Sequence, residues 1–541
     1  MVTRINKKSA AKSLSGRSRS RPVAPSLQGA EHLVADAAGA ALHAAQVIGE
    51  NVARAATGVL GMTGERMSRV DTAWLRMDSP SNLMMIVGVW TLVPRVSYEQ
   101  VCERIQSSLL QYPRFRQRVV EDAAGASWVE DTHFDIRRHV VREELPAVEG
   151  GNPQVALQEL LGDLAMEPLD RRHPLWQFHL IEDYVDEKGR KASALLARIH
   201  HCIGDGIALI SVTMSLVDGG AAPPKRRRVK KDHESPEEWI AHALVKPLTD
   251  IAVKALDMAG EGAAASLHML REPGKGMANS VDLAKVGMHI MSDAAALALM
   301  PDDSRTRLKG KPGYAKRVAW CPPIPLDDVK AVGKALNASV NDVLLSCVAG
   351  AIGEYLKGHG DEVRGQEIRA MIPVNLRPLE EAWKLGNRFG LVPLVLPIGI
   401  DNPVERIYEV RRRMNALKGS TQPLMAFGLL AVAGLLVKPA QDALLALFGK
   451  KTTAVMTNVP GPREKLKFCG ASLEQTMFWV PQSGDIGLGV SILSYGGGVQ
   501  FGVITDSTLC PDPQGIIDQF EPEFNRLSMV TMMLPWGEGT P

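Results

Sequence analysis

The sequence is poor in cysteine, in aromatic residues and in long apolar stretches. Its 541 residues include six cysteines and only 5% Phe, Trp and Tyr. No Cys-x-x-Cys pair occurs, which argues against a disulfide framework and favours reduced thiols inside a cell. No apolar run reaches the 18 residues of a membrane span. The longest, 424–437, has the length of a buried or interfacial helix.

The sequence also lacks the signatures of several common functional classes. The net charge is +2, so the chain has no basic footprint for nucleic acid. No Gly-x-Ser-x-Gly elbow of a serine hydrolase is present. The glycines at 484–489 precede a strand pattern at 490–493, whereas a dinucleotide loop requires a helix there. The N-terminus is basic and lacks the apolar core of a secretory signal peptide.

Paired histidines stand between two apolar runs near the middle of the first half of the chain. The runs at 194–199 and 207–212 predict a strand, a tight loop and a helix, with His200 and His201 at the strand's end. Asp205 completes a His-His-x-x-x-Asp pattern. A histidine with a pKa near ~6.5 is largely neutral at cytosolic pH and can accept a proton from a substrate.

Other interpretations of these residues compete with catalysis. One alternative is that the pair consists of two buried structural histidines beside a helix-capping Asp205, since histidine is intermediate among residue types in how often it is buried. A metal site is less favoured, because no third ligand recurs at the right spacing. Cys202 fits a small space-filling role. Among catalytic roles, the pattern favours a base that deprotonates an alcohol or amine acceptor.

The motif His200-His201-x-x-x-Asp205-Gly206 resembles the active-site motif of the CoA-dependent acyltransferase superfamily. Within it, the sequence is most similar to the bacterial wax ester synthase/diacylglycerol acyltransferase family. Further blocks that resemble this family occur in the expected order, from about residue 67 to 527 with a break near 221–304. They are 67–80, 112–118, 134–140, Pro174-Leu175-Trp176, Asn341-Asp342, 373–377, 386–390 and Asn458-Val459-Pro460-Gly461-Pro462.

The resemblance implies an α/β (α+β) fold. It predicts two chloramphenicol-acetyltransferase-like subdomains, each a mixed β-sheet flanked by helices, with the active-site tunnel between them. We accordingly expect four segments: a basic tail and an amphipathic helix (1–66), an N-terminal subdomain (67–220), a linker with a basic cluster and helices (221–305), and a C-terminal subdomain (306–541).

The resemblance also implies the chemistry. It predicts an acyl-CoA-dependent O-acyltransferase that forms triacylglycerol from diacylglycerol, wax esters from fatty alcohols, or both, without a metal or cofactor. His201 would be the general base, His200 would support it, and Asp205 would hold the loop through an ion pair. Gly206 permits the turn, and Asn341 with Asp342 would border the site. Asn341 is also our guess for the oxyanion donor and, from its position, for a helix N-cap.

Three alternatives stay open at this point. Peptide-bond-forming condensation domains share the motif, but no carrier-like segment is present. A smaller alcohol or amine could be the acceptor. A catalytically silent lipid-droplet protein would use only the amphipathic segments. The sequence does not distinguish diacylglycerol from fatty alcohol, nor does it fix the acyl chain length or the oligomeric state.

The expected location follows from charge and amphipathicity. The first 28 residues carry seven cations and no acidic residue, an apolar pattern at 29–60 predicts an amphipathic helix, and Lys225–Lys231 is a second basic cluster. We therefore expect a cytoplasmic protein held peripherally on the inner membrane face or on lipid inclusions, with acyl-CoA and lipid acceptors as partners and no nucleic acid.

Periodicity predicts the main elements around these blocks. The predicted strands are 84–92, 178–182, 317–320 and 453–456, followed by a rigid turn at 457–462. A hairpin is predicted at 492–505, turning at Gly496–Gly498. The predicted helices are 97–110, a helix that starts at about 326, one up to about 356, and a last one at 513–527.

Overall fold

The computed structural model describes residues 64–122, 125–220, 301–378, 381, 384–417 and 438–533. Several predictions lie outside these residues. They are the basic tail, the amphipathic helix at 29–60, the linker up to residue 300 with its basic cluster, and the apolar segment 424–437.

Strands β1 to β16 account for most of the framework. In chain order they are Glu65–Arg66, Met85–Val93, Gln117–Asp122, Gly125–Glu130, Val140–Arg142, Trp176–Val185, Lys191–His200, Lys316–Trp320, Ile324–Pro325, Ile368–Asn375, Phe389–Leu396, Ala454–Pro460, Lys467–Phe468, Ala471–Trp479, Leu488–Tyr495 and Gly498–Asp506.

Helices α1 to α10 pack around these strands. In chain order they are Arg69–Arg76, Tyr98–Ser108, Ile136–His139, Pro153–Leu164, Gly206–Leu216, Leu326–Ala335, Val340–Gly358, Pro403–Leu417, Lys438–Lys451 and Gln514–Met533.

The strands form two large mixed sheets, as predicted, and one small sheet. The first large sheet has the order β13-β14-β2-β7-β6-β5, and only the β5–β6 pair in it is parallel. The second has the order β11-β10-β12-β15-β16-β8, with β9 paired to β16, and its β10–β12 and β12–β15 pairs are parallel. The small sheet is β1-β4-β3. Parallel pairs require crossover connections, which helices supply in an α/β fold.

The first sheet contains strands from both halves of the chain. β14 lies antiparallel to β2 and pairs Leu473 with Leu92 and Trp479 with Val87. A segment near residue 475 thus completes the sheet that presents the histidine motif. Strand β14, from the second half of the chain, therefore lies beside strands from the first half. The predicted subdomain boundaries stay predictions.

Helix α7 begins with a different cap from the predicted one. Ser339 is the N-cap: its hydroxyl accepts the Asp342 N–H, and the Asp342 carboxylate accepts the Ser339 N–H at 2.9 Å. Asn341 lies inside the first turn, so its prediction as the cap was wrong. A capping box needs an acid three residues after the serine, and Asp342 meets that requirement.

The predicted turn at 457–462 was also wrong in its extent. β12 continues to Pro460 because residues 454–460 pair in parallel with Leu488–Ser494 of β15. The hairpin prediction is confirmed: β15 and β16 pair from Leu488↔Thr505 to Tyr495↔Gly498. Gly496 and Gly497 have φ of 59° and 83°, the left-handed values that a two-residue hairpin turn requires.

No helix within the described ranges is both long enough and apolar enough to cross a membrane alone. The pair α6 and α7 reaches the required length and composition together, with a bend of 98° between the two helices. Most of α7 is buried in the protein.

Candidate active site

The histidine motif occupies the predicted strand–loop–helix. β7 ends at His200 and α5 begins at Gly206. The main chain of the loop is fixed at its start, because the His200 N–H donates to the Leu175 carbonyl at 2.9 Å and the His201 N–H donates to the Met84 carbonyl at 2.7 Å. Both carbonyls belong to segments that flank neighbouring strands, so the sheet itself sets the position of the histidines.

The His201 ring is buried and held between aromatic side chains. It is 4% exposed. The indole of Trp74 stacks on it with ring centroids 4.1 Å apart and planes 10° apart, and the ring of Phe389 lies 5.7 Å away. Burial lowers the pKa of His201 to about 4, with a smaller contribution from His200. A neutral imidazole is therefore the form present at physiological pH.

Asp205 holds the loop through several hydrogen bonds, one of which is also an ion pair. Its Oδ1 accepts the Ala208 N–H at 2.9 Å and so caps α5. Its Oδ2 accepts from the Arg377 guanidinium and from the Arg388 N–H, each at 2.9 Å. The Asp205 N–H donates to the Gly386 carbonyl at 3.4 Å. The sequence analysis offered two roles for Asp205, as a helix cap and as an ion-pair partner. In the structure Asp205 has both roles.

A second polar cluster lies on the other side of the loop. Asn387 donates from its main-chain N–H and its Nδ2 to Oδ1 of Asp71, at 2.9 and 2.8 Å. Arg114 donates to Oδ2 of Asp71 at 3.2 Å and to the Ile203 carbonyl at 2.9 Å. Asp71 is 1% exposed. Because a buried carboxylate needs such partners, this cluster is a fixed part of the site.

His200 faces a separate carboxylate. Its Nε2 lies 3.3 Å from Oδ2 of Asp78, and its Nδ1 accepts the Cys202 N–H at 3.1 Å, so the hydrogen shared with Asp78 lies on Nε2. Burial raises the pKa of the Asp78 carboxyl, but the hydrogen bonds from His200 and from the Met84 N–H, together with the charge of Arg171, outweigh burial and lower that pKa. Asp78 also accepts the Met84 N–H at 2.7 Å, which links His200 to the segment that holds His201.

Asn341 and Asp342 lie on a different element from the histidines. The Asn341 amide oxygen accepts from Nδ2 of Asn458 on β12, and Asp342 is engaged in the cap of α7. Neither residue hydrogen-bonds to His201 within the part of the chain that the structure describes. Their place at the border of the site stays a prediction.

The sequence analysis missed four residues that support the loop from distant positions in the chain: Asp71, Arg114, Arg377 and Asn387. All four lie in blocks that resemble the family, but none had a recognised partner in the sequence. The guanidinium of Arg114 pairs with Asp71 and lies 4.9 Å from the Trp128 ring centroid.

An apolar cavity starts beside the motif and follows one face of the first sheet. Its empty volume, including the open mouth, is about 1130 Å³. The residues that line it nearest to the motif include Ile199 and Gly206, and its walls include Trp90, Ala197, Leu209 and Phe478. The φ of Gly206 is not in the left-handed region, and a Cβ built on this residue meets no atom within 4 Å, so the structure shows no need for a glycine in the predicted turn.

The Asp205–Arg377 pair makes a prediction about stability. We expect Arg377→Met to lower the free energy of unfolding by about 3–5 kcal/mol, because it leaves the buried Asp205 carboxylate without its cation. Arg388→Met is the matched control, since the side chain of Arg388 is 43% exposed and, among the described residues, forms an ion pair only with Glu381. Its effect should stay within about 0.5 kcal/mol. Denaturant unfolding followed by tryptophan fluorescence measures both, and equal losses in the two variants would contradict the expectation.

Comparison with known proteins agrees with the layout of the motifs. Residues 67–344 match the family model of the wax ester synthase/diacylglycerol acyltransferase catalytic domain, and residues 385–528 match that of the WS/DGAT C-terminal domain. Over 477 residues the chain is 27% identical to tgs1 of Mycobacterium tuberculosis strain H37Rv, named as a probable diacylglycerol O-acyltransferase. That match covers 86% of this chain and 96% of tgs1.

Solved structures share the fold. The wax ester synthase/diacylglycerol acyltransferase from Marinobacter aquaeolei VT8 superposes with a TM-score of 0.58 at 20% identity, over 86% of this chain and 100% of that one. A starter condensation domain of rhizomide synthetase RzmA superposes with a TM-score of 0.50 at 14% identity, over 87% and 95% of the two chains. The matched catalytic model alone covers half of the sequence, and this chain belongs to the wax ester synthase/diacylglycerol acyltransferase family.

Proposed function

We propose that His201 is the general base with which this acyltransferase moves an acyl group from acyl-CoA to the hydroxyl of a diacylglycerol or a fatty alcohol. The observation that carries the proposal is the state of His201. It lies in the motif, its ring is buried and fixed by Trp74, and its pKa is lowered to about 4. A neutral, oriented imidazole is the form that accepts a proton.

The reaction places few demands on the protein. The thioester carbonyl is already activated, whereas the alcohol is a poor nucleophile. His201 takes the hydroxyl proton while the oxygen attacks the carbonyl carbon. The tetrahedral intermediate then collapses, the carbon–sulfur bond breaks, and the thiolate of CoA takes the proton from His201. General-base catalysis of this kind contributes about 10²–10⁴-fold in rate. This sequence of steps needs no metal and no cofactor.

The apolar cavity supports a lipid substrate. Its walls come from one face of the first sheet, from α5, the helix that directly follows the motif, and from β12 and β15 of the second sheet. A long hydrocarbon chain gains about 25 cal/mol for each Å² of apolar surface that it removes from water. The same cavity offers few partners to a small polar acceptor. It therefore favours a fatty acyl or fatty alcohol chain over the smaller alcohol or amine that the sequence left open.

Acyl-CoA as the donor is supported by the family and by the fold. The RzmA condensation domain was solved in complex with C8-CoA, so this fold can seat a CoA ester in that protein. The names of the relatives point to acylglycerol and alcohol acceptors. The intact motif also favours an enzyme over a silent lipid-droplet coat protein.

Replacement of His201 tests the proposal. With palmitoyl-CoA and either hexadecanol or dipalmitoylglycerol, in buffer with EDTA, we expect wild-type protein to release CoA. His201→Ala should lose at least about 10²-fold in kcat with an unchanged circular dichroism spectrum, because the base is gone. His133→Ala is the matched control, since His133 is exposed and lies outside the site.

Other outcomes would redirect the proposal. Wild-type turnover in a folded His201→Ala variant would exclude His201 as the base. CoA release without any acceptor would indicate a thioesterase. If EDTA abolished the activity, a metal would have to be added. The ratio of rates with the two acceptors decides between wax ester and triacylglycerol synthesis.

The pH dependence of the reaction gives an independent test. Because burial holds the pKa of His201 near 4, the ring stays deprotonated down to about pH 5. We expect kcat/KM to stay constant from pH 8 to about 5 and to fall only as the pH approaches 4, where the base becomes protonated. Initial rates in buffers of constant ionic strength measure this, with the fold checked at each pH. A midpoint near ~6.5, the unperturbed value for histidine, would contradict it.

We further propose that the protein acts at a lipid surface, as a peripheral membrane or lipid-inclusion enzyme of the cytoplasm. The support is chemical. Diacylglycerols and fatty alcohols partition into lipid, and the first 28 residues carry seven cations without an acidic residue. Each such cation near an anionic surface contributes about 1 kcal/mol.

Vesicle flotation tests this location. The full chain should float with vesicles that contain phosphatidylserine, and binding should fall at high salt because the attraction is screened. A variant with the seven cations of the tail replaced by Gln should lose most of this binding and keep its activity on detergent-dispersed substrate. Equal flotation of both proteins would contradict a role for the tail.

A further inference from the structure

The apolar cavity beside the histidine motif has an uncharged lining. None of the described residues that line it carries a charge, and the hydroxyl groups among them are those of Thr213, Thr476 and Tyr495. The Tyr495 hydroxyl already has partners, because it donates to the Leu473 carbonyl and accepts the Leu466 N–H, each at 2.8 Å. The cavity therefore offers an unbranched hydrocarbon chain an almost entirely apolar surface.

Three cross-strand pairs of β2 and β7 form the floor of this cavity. They are Ile86 with Ile199, Gly88 with Ala197, and Trp90 with Leu195. From the first pair, next to the motif, to the last is four residues of β7, or about 13 Å at the usual rise of a strand. Helix α5 lines the cavity from Gly206 to Leu216, which is about 15 Å at the rise of a helix. The two elements thus give the cavity a similar length.

The floor of the cavity ends at Trp90. The next pair on the same face of the sheet, Leu92 with Ser193, is fully buried. The Ser193 hydroxyl accepts the Val96 N–H at 3.1 Å, so the protein itself fills the space beyond this pair. The Trp90 ring packs edge-on against the ring of Phe468, with centroids 5.5 Å apart and planes at 71°.

A set of polar contacts holds this end of the cavity in place. Arg104 of α2 donates to the carbonyl of Leu216, the last residue of α5, at 2.8 Å. Its guanidinium also pairs with Asp218 at 2.6 Å and lies 5.8 Å from the Phe468 ring centroid. Asp218 in turn accepts the main-chain N–H of Gly470 at 2.7 Å. Because these contacts join α2, α5 and the residues after β13, the wall behind Trp90 is fixed.

The form of the cavity favours the chain of the acyl donor over that of the acceptor. An acyl-CoA carries one chain on the reacting carbonyl, whereas a diacylglycerol carries two chains beside its hydroxyl. One continuous floor suits one chain. Gly88 and Ala197 keep the middle of this floor low, and both are half-buried where their neighbours Val87, Val89 and Leu196 are buried. A chain that starts beside the motif therefore passes over small residues and meets a large one at Trp90.

We propose that Trp90 sets the longest acyl chain that the enzyme accepts, and that Ala197 keeps the cavity open between the motif and Trp90. A chain gains about fourfold in affinity for each methylene that it buries before it reaches the indole. A longer chain collides with the indole and loses this gain. The inference rests on the proposed function, because the length of the cavity matters only if an acyl chain binds in it. Both residues determine specificity, and neither takes part in the chemistry at His201.

A series of acyl-CoA donors from hexanoyl to arachidoyl, with hexadecanol as the fixed acceptor, tests the proposal. In Trp90→Ala, kcat/KM for donors longer than the wild-type optimum should rise at least about tenfold relative to hexanoyl-CoA, because further methylenes are buried. Ala197→Phe should lower kcat/KM for palmitoyl-CoA at least about tenfold, because its ring blocks the way to Trp90, and should change that for hexanoyl-CoA less than about twofold. Ala197 is a better site than Gly88, where a Cβ would lie 3.3 Å from the Met477 carbonyl oxygen.

Val89→Ala is the matched control. Val89 is 1% exposed, precedes Trp90 on β2 and points to the opposite face of the sheet. This variant loses buried apolar volume without changing the cavity floor, so its donor profile should match the wild type. A second series, with palmitoyl-CoA fixed and the length of the fatty alcohol varied, should give the same profile in all four proteins.

Several results would overturn the proposal. They are a wild-type profile that does not fall up to arachidoyl-CoA, an unchanged donor profile in Trp90→Ala, and an equal shift in Val89→Ala. A shift in the alcohol series in place of the donor series would assign the cavity to the acceptor. If Trp90→Ala does not fold, Ala197→Phe decides, since it adds a side chain to an empty cavity. Absence of CoA release from the wild type with every donor would instead refute the proposed function.

Discussion

The site depends on one constraint: a loop from the first half of the chain must be held by buried charges from the second half. Asp205 and Arg377 are 172 positions apart, and both side chains are almost fully buried. Breaking such a pair leaves an isolated charge in a medium of low dielectric constant, which is far more costly than the pair itself is stabilising. The loop can therefore adopt its geometry only when Arg377 and residues 386–388 are docked against it. The isolated bridge between Gly204 and Gly386 marks the same junction at the level of the main chain.

Burial has two effects on His201 that belong together. It removes water from the ring, which lowers the pKa and keeps the imidazole neutral. It also removes the solvent that would otherwise satisfy the ring nitrogens, so the protein must supply the partners and the orientation. Trp74 and Phe389 fix the plane of the ring, and they come from opposite halves of the chain. A ring that is both neutral and oriented is thus a product of the same packing that closes the junction.

Much of the local structure around the motif could be predicted from the sequence. The features that could not be predicted have physical reasons. Apolar runs around the motif predicted the strand, loop and helix because burial of neighbouring elements leaves a local pattern. Asp205 was recognised because its cap lies three residues away. Asp71 and Asn387 were not, because pairing across 316 positions has no local signature. The wrong cap for α7 has a different cause: Ser339 and Asn341 are both good N-cap residues, and the choice between them depends on the acid at position 342.

Strand β7 separates an apolar cavity from buried charges within one thin layer. Its successive side chains point to opposite faces. Leu195, Ala197 and Ile199 line the apolar cavity, whereas Arg198, fully buried, donates to Gln177 and Glu167 on the other face. The strand ends where these two environments meet, at the histidines. Successive side chains alternate between the two faces of the strand. A substitution on the cavity face can therefore change the shape of the cavity without removing a residue that pairs with Arg198 on the opposite face. The cavity can accordingly change shape while His201 and the residues that support its loop stay fixed.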